Sequence, residues 1–147
     1  MNEIDAIIDS SVLLAYKSGD PHAKNLIFRA IEQEVRLGIS TYSLFLIWGS
    51  QHFDRKSEIA FTSLIDYLTP IELDLPNALN SGNLFRESNI YFGENVQNIE
   101  TDNSIDIVKT IENFFVQNAY YKLTKPIITC SPDMYYEFSD LIEPKDF

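Results

Sequence analysis

The sequence is short of the residues that many small scaffolds and several kinds of chemistry depend on. It has a single cysteine, Cys130, so no internal disulfide can form and a disulfide-stapled framework is excluded. Its two histidines, His22 and His52, are far apart and have no partner at ligand spacing, which argues against zinc and against histidine-based nucleophilic catalysis. Only five glycines occur, and they build no glycine-rich phosphate loop, so a flavodoxin-like or phosphate-binding α/β protein is disfavoured. Bases are scarce: 11 Lys and Arg stand against 22 Asp and Glu, a net charge of −11. A surface of that sign repels a phosphate backbone, so RNA binding through a basic patch is disfavoured. The longest unbroken apolar run, Leu44 to Trp48, is far below the ~20 residues that a bilayer crossing needs, so no membrane association is expected. The start Met1-Asn2-Glu3-Ile4-Asp5 is acidic where a signal peptide is basic and then apolar, which predicts a cytoplasmic protein.

What is present is enough for a core. The 147 residues suit one domain, 1–147, and 45% of them are apolar, including ten Phe, eight Tyr and one Trp. Ile4, Ala6, Ile7 and Ile8 form a β-favouring run that stops at Asp9-Ser10-Ser11. Val12 to Tyr16 reads as helical, and Ser18-Gly19-Asp20-Pro21 closes it and starts the next helix, with Asp20 as cap and Pro21 in the first turn. Ala23, Leu26, Ile27, Ala30 and Ile31 give that helix one apolar face. Gly38 to Thr41 is expected as a short strand, and Ser43 to Phe53 as a mostly apolar, buried helix. Asp54 or Ser57 caps the next helix, whose pattern Ile59, Phe61, Leu64, Ile65 and Leu68 is halted by Thr69-Pro70 ahead of a strand Ile71-Glu72-Leu73.

Asp74 to Glu87 has a weak helical pattern, and Asn89 to Asn103 is expected as a long loop or insertion. Ile105, Val108, Ile111, Phe115 and Ala119 then mark a long helix ending near Lys122, before strands at Ile127-Ile128-Thr129 and Leu141-Ile142. Strand and helix alternate without internal repeats, which defines the α/β class and a parallel sheet. In such a sheet function gathers at the carboxyl ends of the strands, here Asp9-Ser10-Ser11, Ser40-Thr41 and Thr129-Cys130-Ser131.

Those ends carry a resemblance. Ile7-Ile8-Asp9-Ser10-Ser11-Val12-Leu13-Leu14-Ala15-Tyr16 resembles the start of PIN domains, including the VapC toxins: hydrophobic, Asp, Ser or Thr, Ser or Asn, any residue, then two hydrophobics. Ile39-Ser40-Thr41 and the helix ending Ile47-Trp48-Gly49 are similar to the second PIN strand and its helix. Pro126 to Met134 is similar to the late PIN segment, and Asp140-Leu141-Ile142-Glu143-Pro144 is placed as its last strand would be. The resemblance covers nearly the whole chain outside 89–103. It implies a three-layer α/β/α fold with a central, mostly parallel sheet, and Mg²⁺- or Mn²⁺-dependent hydrolysis of RNA by three or four clustered carboxylates.

Measured against that acid set, the sequence is depleted. Asp9 matches the first acid, but the place of the second, four residues before Gly49, is held by Phe45. Counting back from Thr129 puts the third on Asn113, while aligning from the helix start puts it on Asp106. Those two share a helix face within about 20° yet lie ~10 Å apart along the axis, so only one can serve. The fourth place falls on Ser131, with Asp133 two residues later.

The resemblance therefore implies a nuclease fold whose ribonuclease activity is weak or absent, kept for binding RNA or protein, with no resident cofactor. The alternative is a working toxin-type endoribonuclease that uses Asp9, Asp106 and Asp133 as catalytic acids, with Mg²⁺ or Mn²⁺ on Asp9 and Asp106. Ser11, Thr129, Ser131 and Asn113 are the expected substrate contacts. An antitoxin-like partner and a homodimer are also implied, the latter through the apolar helices at Ala23 to Ile31 and Ile59 to Leu68.

Simpler roles exist for several of these residues. Asp9 can end its strand and cap the next turn, and Asp102 and Asp106 suit the positive end of the long helix's dipole, a contribution of about 0.3 to 1 kcal/mol. Glu112 points about 100° away from Asn113 and is assigned to solvent, Phe45 to the core, Asp133 to a turn, and Cys130 to a structural thiol. Tyr135-Tyr136 is assigned to packing, with base stacking as the other possibility.

Overall fold

A computed structural model describes residues 3–87, 104–135 and 138–147, with the side chains of 104–107 left out. Five strands, β1 (Ala6–Ile8), β2 (Leu37–Ser40), β3 (Leu68–Ile71), β4 (Ile127–Ile128) and β5 (Leu141–Ile142), form one sheet in the order β3-β2-β1-β4-β5 among the described residues. Every pairing is parallel, with Ile7 opposite both Gly38 and Ile127. Helices α1 (Ser10–Ser18), α2 (Pro21–Ile31), α3 (Thr41–Trp48), α4 (Arg55–Ile65), α5 (Leu75–Glu87) and α6 (Ser104–Leu123) flank it, giving the expected three-layer α/β/α arrangement. No helix among the described residues is long and apolar enough to cross a membrane.

Alternation along the strands builds two cores. Ala6 and Ile8 of β1 join Leu37, Ile39 and Ile128 in one cluster with Val12, Leu26, Ile27 and Phe61 from the helices. Ile7 and Ile127 face the other way and meet Val116 and Ala119 of α6. Gly38 points to that second side, where a Cβ would come within 2.7 Å of Ile4 Cδ1 and 3.1 Å of Ile71 Cδ1, so a larger residue would force those side chains to shift.

The local signals explain the element ends. Gly19 closes α1 at φ 90°, in the left-handed region. Asp20 then accepts the Ala23 N–H at 2.8 Å, with Pro21 in the first turn of α2. Asp54 caps α4 by accepting both the N–H and the hydroxyl of Ser57 at 2.8 Å.

Three expectations need correction. The third strand is Leu68–Ile71 rather than 71–73, and α4 stops at Ile65. Pro70 does not exclude a strand here, because β3 is an edge, where a missing N–H need not break a ladder. The apolar helix α3 spans Thr41–Trp48 and lies at the periphery: only Ser43 and Ile47 are buried, and Phe45 is 66% exposed. The apolar residues Ala23, Leu26, Ile27 and Ala30 of α2, and Phe61 and Leu64 of α4, pack into the chain's own core, while Phe28 and Ile59 of the same helices are exposed. The expected insertion at 89–103 and the acid Asp102 lie outside the described residues.

Candidate functional site

The carboxyl ends of β1 and β4 meet the middle of α6, and between them opens a cleft of about 190 Å³. Asp9, Ser10 and Ser11 line it from β1 and the start of α1, Cys130 and Ser131 from beyond β4, and Lys109, Glu112 and Asn113 from α6. Asp9 is the N-cap of α1 and accepts the Ser11 N–H at 3.1 Å, so it does end its strand and cap the next turn. It does more than that. Its Oδ1 also accepts the Ser11 hydroxyl at 2.5 Å, and its Oδ2 accepts the hydroxyls of Thr129 at 2.6 Å and Tyr135 at 2.8 Å.

Across the cleft Glu112 is buried, not solvated. The backbone N–H of Ser10 donates to its Oε2 and the Ser10 hydroxyl to its Oε1, each at 2.8 Å. Ser10 thus ties α6 to the end of β1. Ser43 of α3, fully buried and without a well-aligned hydrogen bond of its own, sits beside the same carboxylate.

Burial raises the pKa of both acids, because a charge in a dry site loses hydration. For Asp9 the converging donors oppose this, while Glu112 is raised further by the Asp9 charge, to about 7. Four donors converge on Asp9 and two well-aligned ones on Glu112, so hydrogen bonding favours the charged form more at Asp9. Burial and the same negative field push the Cys130 thiol up to about 11, which keeps it protonated and poorly nucleophilic.

The sequence-derived candidates separate on this geometry. Asp9, Ser11, Asn113 and Ser131 all line the cleft, and Thr129 stands behind it on Asp9. The Asn113 amide donates to the Met134 carbonyl, fixing the turn that follows β4. Asp133 is exposed on the 3₁₀ turn Pro132–Met134 and does not line the cleft. Asp106 lies in the first turn of α6, and its side chain is outside the described ones. Sequence reasoning missed Glu112 and Tyr135. A signal for Glu112 existed: it lies four residues after Val108 and four before Val116, on the apolar stripe itself.

The described residues do not fit a divalent ion. No group of three Asp, Glu, His or Cys residues able to hold a metal occurs among them, and the two acids that line the cleft, Asp9 and Glu112, are both buried and hydrogen-bonded. A hard dication wants several unencumbered oxygens, and those of Asp9 are engaged.

Fold and site together define a doubly wound parallel α/β protein with an acid pair at the strand ends. No family model and no curated protein matches the sequence. Among solved structures, a chain from a "Toxin-antitoxin complex from Klebsiella pneumoniae" is similar, with a TM-score of 0.64 at 14% identity, over 97% of this chain and 99% of that one. At that identity the likeness is one of fold, here a fold also found in a toxin–antitoxin complex.

Proposed function

We propose that this chain is a PIN-like protein of the toxin–antitoxin kind whose acid site has lost metal-dependent ribonuclease chemistry, so that it acts by binding. The observation that carries this is the state of the acids. Asp9 is satisfied by Ser11, Thr129 and Tyr135, and Glu112 by Ser10, so both are supplied by the chain's own donors. Phe45, at the place of the missing acid, turns its ring to solvent. The test is titration of the purified protein with Mg²⁺ and Mn²⁺ by calorimetry, alongside cleavage of single-stranded RNA. The expected outcome is no stoichiometric binding below the millimolar range, no cleavage with Mg²⁺, and at most slight cleavage with Mn²⁺. Turnover abolished by both Asp9→Asn and Asp106→Asn would instead support the active toxin that uses Asp9, Asp106 and Asp133.

The binding surface follows from charge. Residues 37–53 and 75–85 contain no charged side chain, and 110–121 contain only the buried Glu112. These segments hold α3, most of α5 and the middle of α6. Between α5 and α6 runs an apolar groove of about 210 Å³ lined by Gly82, Phe85, Ile111 and Phe115. The Phe115 ring is 5.0 Å from Tyr42, which lies 6.1 Å from the exposed Phe45. Among the described residues this face carries almost no charge, so on a protein of net charge −11 a second copy meets little repulsion there, and one patch facing itself suits two-fold pairing. The homodimer is accordingly assigned to this face. Sedimentation at micromolar concentration is expected to show a dimer of the 16.9 kDa chain, and Phe45→Glu to shift it to monomer. An antitoxin-like partner, basic where this chain is acidic, is left the acid cleft and its rim.

A further inference from the structure

We propose that Tyr135 is the residue that closes Asp9 to cations, its phenol holding an acceptor position that no movement of a small side chain can vacate. This rests on the reading of the acid site as metal-free and says what keeps it so. An ionised carboxylate offers about four lone-pair positions on its two oxygens. Ser11 fills those of Oδ1 through its N–H and its hydroxyl, at 3.1 and 2.5 Å. Thr129 and Tyr135 fill those of Oδ2, at 2.6 and 2.8 Å.

These donors differ in how they can yield. Ser11 lines the cleft, and its hydroxyl can rotate away from an arriving ion. Thr129 can likewise turn toward Ser11 Oγ, 3.1 Å away. The Tyr135 hydroxyl sits at the end of a rigid ring that is 5% exposed and packed with Ile4, Ile7, Val116 and Ile127. The residue before it is held by the Asn113 amide on the Met134 carbonyl. A phenol is an O–H donor, and here it donates to Asp9 Oδ2. A cation on Oδ2 must displace a donor that cannot swing aside, and an ion held by Oδ1 alone lacks a second oxygen from the same acid.

The test uses Mn²⁺ alone, titrated into the full chain by calorimetry. Tyr135→Phe keeps the ring and its packing and removes only the donor. It is expected to bind one Mn²⁺ at least tenfold more tightly than the unmodified protein. Tyr120→Phe, which loses a surface phenol bond to Asp140, should leave affinity unchanged. Circular dichroism establishes that each variant is folded. Thr129→Val removes a donor that can already turn away and leaves Tyr135 in place, so it should bind Mn²⁺ no better than the unmodified protein; tenfold tighter binding by it overturns the role of Tyr135 even if Tyr135→Phe does not fold. A folded Tyr135→Phe that binds Mn²⁺ no better than the unmodified protein also overturns the role of Tyr135 and leaves the metal-free site standing. Tight stoichiometric binding by the unmodified protein overturns the metal-free reading itself, and closure by Tyr135 with it.

Discussion

The two faces of the sheet are built from different materials. On the α1–α4 side the buried cluster is almost wholly aliphatic and aromatic, with Ile8, Val12, Leu26, Ile27, Leu37 and Ile39 at 1% exposure or less. On the other side α6 buries Glu112, Asn113, Gln117 and Asn118 along with Val116 and Ala119. There Asn118 donates to Asn77 Oδ1 at 2.6 Å, and Ser81 to the same oxygen at 3.2 Å, fixing α5 against α6. Burying apolar surface is favourable at about 25 cal/mol per Å² and needs no particular orientation. Burying an amide or a carboxyl costs unless its partners are in place, so the polar face gains little net stability but allows one arrangement. The apolar face holds the fold, and the polar face holds the geometry of the acid pair.

The strongest way to test that division is to damage the apolar face. Ile39→Ala, at a fully buried β2 position, should cost about 2 to 5 kcal/mol, read as a lower urea midpoint with little change in slope. If the loss were under 1 kcal/mol, the aliphatic cluster would not be the seat of stability.

The next effect sharpens the polar side. Glu112 has its pKa raised from 4.5 to about 7 in the folded chain, so the native state binds its proton more tightly than the unfolded one does. Its stabilising contribution is fully present below about pH 4.5 and is lost as pH rises through 7. At about 1.4 kcal/mol per pKa unit the loss is on the order of 3 kcal/mol by pH 8 to 9. Glu112→Gln should flatten this dependence in urea melts from pH 4.5 to 8.5. An equally steep fall in that variant would assign the effect to another group, Asp9 first, whose pKa is raised in the same direction.

The smallest expected effect belongs to neither core. With Phe45 66% exposed, Phe45→Glu should change monomer stability by less than about 0.5 kcal/mol in thermal melts at concentrations below those of association. A loss of 3 kcal/mol or more would mean that the ring fills a cavity.

The same contrast decides what could be read from the sequence. The apolar face was legible because its signals are local: the Asp20-Pro21 start, the Asp54 cap, the three-and-four spacing of α2, and the short Ile-rich strands at β1 and β4. Ser11, Asn113 and Ser131, named from the resemblance, line one cleft with Asp9. The polar face was legible only in part: the spacing of Glu112 from Val108 and Val116 is a local signal, but the elements that bury it are distant in sequence. Glu112 reads as solvated from its angle to Asn113, yet α6 is covered by the sheet on one side and by α5 on another. Phe45 misleads in the opposite sense, since an apolar helix at the edge of the structure leaves a large ring uncovered. Tyr135 belongs to the core, as expected, but its bond to Asp9 spans 126 residues, a distance over which periodicity carries no information.

That span also sets a clock on biosynthesis. The first three strands are made by Ile71, although the aliphatic cluster still lacks Ile128 of β4 at that point. The acid pair cannot be complete until later, because Asp9 waits for donors from Thr129 and Tyr135. At roughly 5 to 20 residues per second, the 126 residues from Asp9 to Tyr135 take about 6 to 25 seconds to synthesise. Through that interval the nascent protein carries a carboxylate whose final partners do not yet exist, and the cleft cannot be finished before Tyr135 has been made.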